Sequence, residues 1–530
     1  MTSRFVTLLC LLPLSGVLTP AAFGKKAAPG SSGQSQITPE QTAATATEKP
    51  LSIVRVNVTN QAYDFFRPWS KRAPSQRRAI GPVLAGPGDE KQILVTGELV
   101  ANATYVELEK PDSGEKTPAT VVAVDYACNL ALVKPISGRF LEGFKPLKVD
   151  ESRVGDDLFV WQLEDNGTLL STRALLTSAE VTRYPIDDAG FLIYRLTSAL
   201  QPRDGSFTTP VVRGGSLTGM VIRFDSRTQN ADAIPAPMIR QFLKSAAKKE
   251  GYTAFPRAGF NFSALRDPQL RRYSGLANGS DGVYITFVHK EGAAQKGGLR
   301  VGDVLKAIGN HAIDRDGNYL DPVYGKTSLI NLLTTHHTVG ETIPFKIARQ
   351  GDEVTLNVTL AFSDPRKKLI EPYVIDKAPS YYILGGLVFQ ELSRQYLKEW
   401  GAEWGKKAPD RFIYLDRFQS EVLKDDPRER IVILSQVLPS PCTVGYEELS
   451  GLVVTEINGV TLKSLADIET AIANSGDGFH RVRFPDGPRE IVLDAKEVSQ
   501  IEPELMKNYG LPALKSLEPA PEQKVTAGVK

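Results

Sequence analysis

The chain has 530 residues, with 63 Lys and Arg against 61 Asp and Glu for a formal charge of +2, and 42% of its residues are hydrophobic. So even a balance argues against a nucleic-acid coat or a polybasic membrane patch, and the apolar content argues against a disordered chain. Three cysteines (Cys10, Cys128 and Cys442) exclude a disulfide framework and a cysteine zinc cluster, and the five histidines stand at 289, 311, 336, 337 and 480.

Residues 1–24 read as an export signal: Arg4 precedes an apolar run from Phe5 to Leu18, and small Ala22 and Gly24 follow. The run is short for a bilayer span and contains Pro13, and no later stretch is apolar enough for a membrane helix. The mature protein is therefore expected to be exported, periplasmic or secreted, without a membrane span. Residues 25–50 are small, polar and Pro-punctuated, as is the end from 516 to 530, and both read as disordered linkers.

From 51 to 249 short apolar runs such as SIVRVNV, QILVTGELV and DLFVWQL alternate with turn residues, which suggests two small β-barrels. A helix closes this region, with Met238, Ile239, Phe242, Leu243 and Ala246 on one face. Residues 250–375 change texture to strand, short helix, strand–turn–strand and a final hairpin. Residues 376–515 repeat that pattern: VGDVLKAIGNHAI (301–313) matches SGLVVTEINGVTL (450–462) at its apolar positions, each with a tight turn between strands. A long amphipathic insertion (393–428) interrupts the second copy and is expected to pack on it.

Several stretches resemble the Deg/HtrA family of exported serine proteases, and most closely its plant-type branch. They are AYDFFRPWSKRAP (62–74), ILVTGELVANATYVELE (93–109), ACNLALVKP (127–135), ALQPRDGSFTTPVV (199–212), GGLVFQELSRQYL (385–397) and ERIVILSQVLPSPCTVGYEEL (429–449). The resemblance implies a mainly β fold, a trypsin-like double β-barrel followed by two PDZ-like α+β domains, the second atypical. It also implies assembly into homo-oligomers through the aromatic segment Tyr63, Phe65, Phe66 and Trp69.

The departures from the family pattern bear on chemistry. Glu98 stands where the resemblance places the general-base histidine, and Asn129 where it places the orienting aspartate. The nucleophile loop reads QPRDGSFTTP, with Ser206 its serine and Thr208-Thr209 in place of a Gly-Gly pair. A serine hydroxyl needs an adjacent base to attack at neutral pH. The barrel region has no imidazole, and losing such a group costs on the order of 10⁶ in turnover, about 8 kcal/mol of barrier. Glu98, Asn129 and Ser206 are thus expected to be degenerate triad positions of a pseudoprotease. The alternative is an active serine endopeptidase that uses Ser206 in a rearranged site.

No cofactor is expected, and no metal either. His336 and His337 are adjacent and point apart, while DRDGNYLD (314–321) has its glycine at the fourth place, not the sixth of a calcium loop. Peptide binding is the activity that survives, because a PDZ module adds an extended chain end beside one of its strands. The resemblance places the carboxylate-receiving loop at Ala258, Gly259, Phe260, Asn261 and Phe262, and the groove wall at Leu329, Leu332 and Leu333. Expected partners are peptides or protein C-termini and active Deg/HtrA relatives.

Overall fold

The computed structural model describes residues 52–517, except 87–89, 188, 202–207, 249–250, 254, 277–280 and 420–427. The expected export signal, the first linker, most of the tail and Ser206 lie outside the described residues.

Strands β1 (Ile53–Asn60), β2 (Ser75–Ala85), β3 (Lys91–Val95), β4 (Ala103–Glu109), β5 (Lys116–Asp125) and β6 (Leu130–Pro135) close a barrel in the order β1-β2-β3-β6-β5-β4. Period-two alternation sends Val54, Val56 and Val58 of β1 into its core beside Ile93, Leu108 and Val133. A second barrel has the order β10-β11-β12-β9-β8-β7, from β7 (Asp157–Leu163), β8 (Leu169–Arg183), β9 (Gly190–Ser198), β10 (Thr209–Arg213), β11 (Ser216–Asp225) and β12 (Asn230–Pro235). The expected helix follows at Ala236–Ala246, with Pro237 in its first turn, and buries Met238, Ile239 and Phe242 in the second barrel's core.

Two PDZ-like modules complete the fold. In the first, a sheet runs Phe260–Ala264, Val283–Val288, Val304–Ile308, Thr342–Arg349, Asp352–Thr359, and the helix Leu329–Thr335 packs into its core. In the second, the sheet runs Leu452–Val453, Val432–Val437, Leu387–Glu391, Tyr381–Leu384, Lys515–Ser516. The two modules share more than element order. Phe260 pairs with Val288 and Asn261 with Phe287, then a bulge shifts the register before Phe262 meets Ile285. Leu387 pairs with Val437 and Val388 with Gln436, and a bulge again precedes Phe389 opposite Leu434. A bulge repeated at the same step of both ladders marks one architecture used twice.

They differ at one edge. Strand Phe260–Ala264 ends its sheet, whereas the equivalent Leu387–Glu391 carries Tyr381–Leu384 as an antiparallel neighbour, folded back through Gly385 and Gly386. Both glycines have positive φ (+59° and +114°), the requirement of so tight a turn.

As expected, the insertion packs on its own module: Tyr396, Leu397, Phe412 and Ile413 join Leu369, Ile370 and Leu392 in one cluster. Part of the aromatic segment makes contacts within the chain. Phe65, only 6% exposed, is buried in that same cluster, and its carbonyl accepts a hydrogen bond from Gln390 Nε2 at 3.0 Å. Phe66 meets the ring of Tyr396 edge-on at 5.8 Å, and Trp69 meets Tyr381 at 5.9 Å. The β1–β2 connection thus reaches the second PDZ-like module directly, with Phe65 buried and Phe66 still 40% exposed. Replacing Phe65 with Ala should lower unfolding stability by about 3 kcal/mol, the cost of emptying a buried aromatic site. Urea titration read by tryptophan fluorescence checks this, and Phe65→Leu should lose less than half as much.

Candidate functional site

Glu98 and Asn129 do come together. Glu98 lies on the single turn Gly97–Val100, and its backbone N–H donates to Asn129 Oδ1 at 2.8 Å, while its carbonyl accepts from Arg77 Nη1 at 2.7 Å. Asn129 is fully buried and left-handed at φ +57°, a conformation Asn tolerates better than most residues. Its oxygen is therefore committed to the end of a helical turn, and its Nδ2 has no hydrogen-bond partner. Burial pushes the Glu98 carboxyl above its ordinary range, and the charges of Arg77, Lys398 and Arg223 pull against that effect.

The loop after position 207 has also changed character. Thr208 and Thr209 are buried, neither has positive φ, and Thr209 is paired opposite Val221 in the β10 ladder. Thr209 opens strand β10, while the loop at 202–207 lies outside the described residues.

All five imidazoles are engaged in the PDZ-like modules. The backbone N–H of His289 donates to the Gly259 carbonyl at 2.9 Å, while its exposed side chain meets the ring of Phe287 edge-on at 5.0 Å. His311 packs edge-on against Tyr319, whose hydroxyl donates to Asp321. His336 Nε2 lies 3.0 Å from Asp321, His337 Nδ1 lies 2.7 Å from Glu341, and His480 Nδ1 faces Asn458. Among the described residues no group of three His, Cys, Asp or Glu side chains is arranged to hold a metal ion.

The eight residues named for peptide binding gather in the first PDZ-like module. The Ala258 carbonyl accepts from Ala294 N–H at 2.7 Å, and Gly259 is left-handed at φ +80°. A Cβ at Gly259 would lie 3.4 Å from Gly292 Cα, so the turn has little room for a side chain. Phe260 and Phe262 are half-buried on the inner face with ring centroids 6.4 Å apart, and Asn261 is exposed on the other face. Leu329, Leu332 and Leu333 are 1%, 0% and 6% exposed, so these three belong to the module's core.

Sequence reasoning missed a set of acids at the module junctions. Asp187 Oδ1 lies 3.5 Å from Lys368 Nζ and Oδ2 lies 3.8 Å from Arg257, while its carbonyl accepts from Arg394 at 3.3 Å. Asp376 takes the Asn102 N–H at 2.7 Å and the Tyr126 hydroxyl, and its own N–H returns to Asn102 Oδ1 at 3.0 Å. No local pattern could reveal them, since Asn102 and Asp376 are 274 residues apart.

The raised Glu98 carboxyl gives a signed expectation. A carboxyl raised by folding contributes stability below its unfolded value near 4.5, and loses it as pH climbs through the folded value. Glu98→Gln should therefore stabilise the fold at pH 7, with the gain shrinking towards zero at pH 4. Urea midpoints at the two pH values provide the check.

Two PDZ domain models match the chain, at residues 256–360 and 370–518. The chain is 26% identical over 477 residues to "Protease Do-like 2, chloroplastic" of Arabidopsis thaliana, covering 88% of this chain and 75% of that protein. It is 23% identical over 419 residues to "Protease Do-like 4, mitochondrial" of the same plant, covering 78% and 75%. A solved structure titled "HtrA-type protease AlgW with decapeptide" aligns over 60% of this chain and 97% of its own, at 17% identity and TM-score 0.44. The double barrel, the two PDZ modules and plant relatives matched over most of this chain support a Deg/HtrA family member of the plant Deg type.

Proposed function

We propose that the protein is a catalytically inactive Deg/HtrA relative that binds peptides or protein C-termini through its first PDZ module, as a scaffold, a chaperone-like holder or a regulator of active relatives. The observation that carries this reading is the placement of the imidazoles. Every histidine sits in a PDZ module with its own ring contact, and the position expected to supply the base holds a half-buried carboxyl. A serine endopeptidase using Ser206 is the second reading, favoured only by that raised carboxyl, which could accept a proton more readily than an exposed glutamate. Lys398 and Arg77 weaken that argument, because both charges draw the carboxyl back towards its ionised, less basic state.

Peptide binding is supported by the contrast between the modules. In the second, Tyr381–Leu384 lies antiparallel on the strand that follows Gly386, with Leu384 opposite Leu387 and 2% exposed. In the first, the equivalent edge after Gly259 ends the sheet. A ligand laid there in the same register brings its last residue opposite Phe260 and its third from last opposite Phe262. Full-length protein should bind peptides that have apolar residues at those two places and a free carboxylate. Gly259→Val, a β-branched residue at positive φ, should weaken binding at least tenfold. Fluorescence anisotropy tests this: a library of free-carboxylate peptides in which none binds, or binding untouched by Gly259→Val, would contradict the proposal.

For localisation, the exported reading of residues 1–24 stands as part of the proposal. The printed names of the two plant relatives favour an organelle as the second reading. Among the described residues no helix is long and apolar enough to cross a membrane.

A further inference from the structure

We infer that the degenerate cleft is the docking seat of the second PDZ module, held shut by a latch of Asp376, Asn102 and Tyr126. From Glu48 onward the chain forms one compact unit, and the segment leading into the second module touches both barrels.

On the first barrel, Asn102 and Asp376 exchange side-chain-to-backbone hydrogen bonds in both directions, and Tyr126 donates to the remaining Asp376 oxygen. Both residues of the exchange are left-handed, at φ +55° and +62°. Each backbone thus adopts a rare conformation that the other side chain satisfies. Tyr373, three residues earlier, meets the Tyr126 ring edge-on at 5.6 Å. On the second barrel, the helix Arg394–Lys398 reaches the connection between β8 and β9. Lys398 Nζ donates to the Ile186 carbonyl at 3.3 Å and Arg394 Nη1 to the Asp187 carbonyl. Glu399, which ends that helix, pairs with Arg72 of the first barrel.

Glu98 lies between these anchors. Lys398, from the docked helix, is among the charges that draw its carboxyl down against the effect of burial. Asn102 closes the same short stretch that begins at Glu98. It lines a cavity of about 190 Å³ together with Tyr63, Arg72, Gln395, Lys398 and Glu399. A catalytic cleft must admit a substrate chain along its length. This one is bridged by a neighbouring module that holds Asn102, Tyr126 and Arg72 of the first barrel and the connection between β8 and β9 of the second.

Hydrogen–deuterium exchange on the full chain tests the inference without relying on the peptide-binding reading. Asp376→Ala combined with Lys398→Ala should speed exchange at least tenfold in residues 96–102 and in 394–398 together. The strand Phe260–Ala264 should keep wild-type protection. Asn102→Gly keeps the left-handed backbone but removes the side-chain acceptor, and it should produce the same joint change at lower amplitude even if the double variant folds poorly. Faster exchange confined to 394–398, with 96–102 still protected, would overturn the inference. So would a loss spread equally over all modules in Asn102→Gly.

Discussion

A carboxylate taken out of water costs several kcal/mol unless cations and N–H groups surround it, and the arrangement of the modules follows from that constraint. Asp187 faces Lys368 and Arg257, Asp416 holds Arg394 at 2.7 Å, and Glu371 lies beside Lys377 and Arg430. Asp187 and its partners come from different modules or the segment that joins them. Glu371 draws on that segment and on the second module, and Asp416 fixes Arg394, whose guanidinium reaches the second barrel. Removing either partner leaves a buried charge exposed to an apolar surrounding, so the junctions are specified more sharply than apolar contact alone would achieve. Glu98 belongs to the same pattern. It is a half-buried acid, and the charge of Lys398 in the second module is among those that draw its carboxyl down against burial.

The barrels were legible because short Val- and Ile-rich runs separated by turn residues admit few other folds, and Val54, Val56 and Val58 turn inward as alternation requires. The duplicated module was legible from its repeated strand–turn–strand. The folded-back strand in the second module had a signal that was not used: Gly385-Gly386 between YYIL and LVFQ is a two-residue hairpin signature. Leu329, Leu332 and Leu333 show where periodicity runs out. A helix face that lines a groove and one that fills a core have the same spacing, and only burial separates them.

The candidate site was legible as a set of substitutions but not as a geometry. That Asn129 would cap the turn carrying Glu98 follows from its left-handed backbone, which composition does not reveal. The intrachain docking of Phe65 and the Asp376 latch join residues hundreds of positions apart, where no local pattern carries information. Glu98, which stands where the resemblance places an imidazole, and Asn102, which holds Asp376 of the second module, fall on the same short stretch of the first barrel.

The central proposal is that the protein lacks a base able to take the Ser206 proton at neutral pH. Purified full-length protein, incubated with a fluorophosphonate probe and analysed by intact mass, tests it most directly. The account requires no adduct at Ser206 under conditions that label an active family member completely. Stoichiometric labelling at pH 7 that disappears in Ser206→Ala would contradict it.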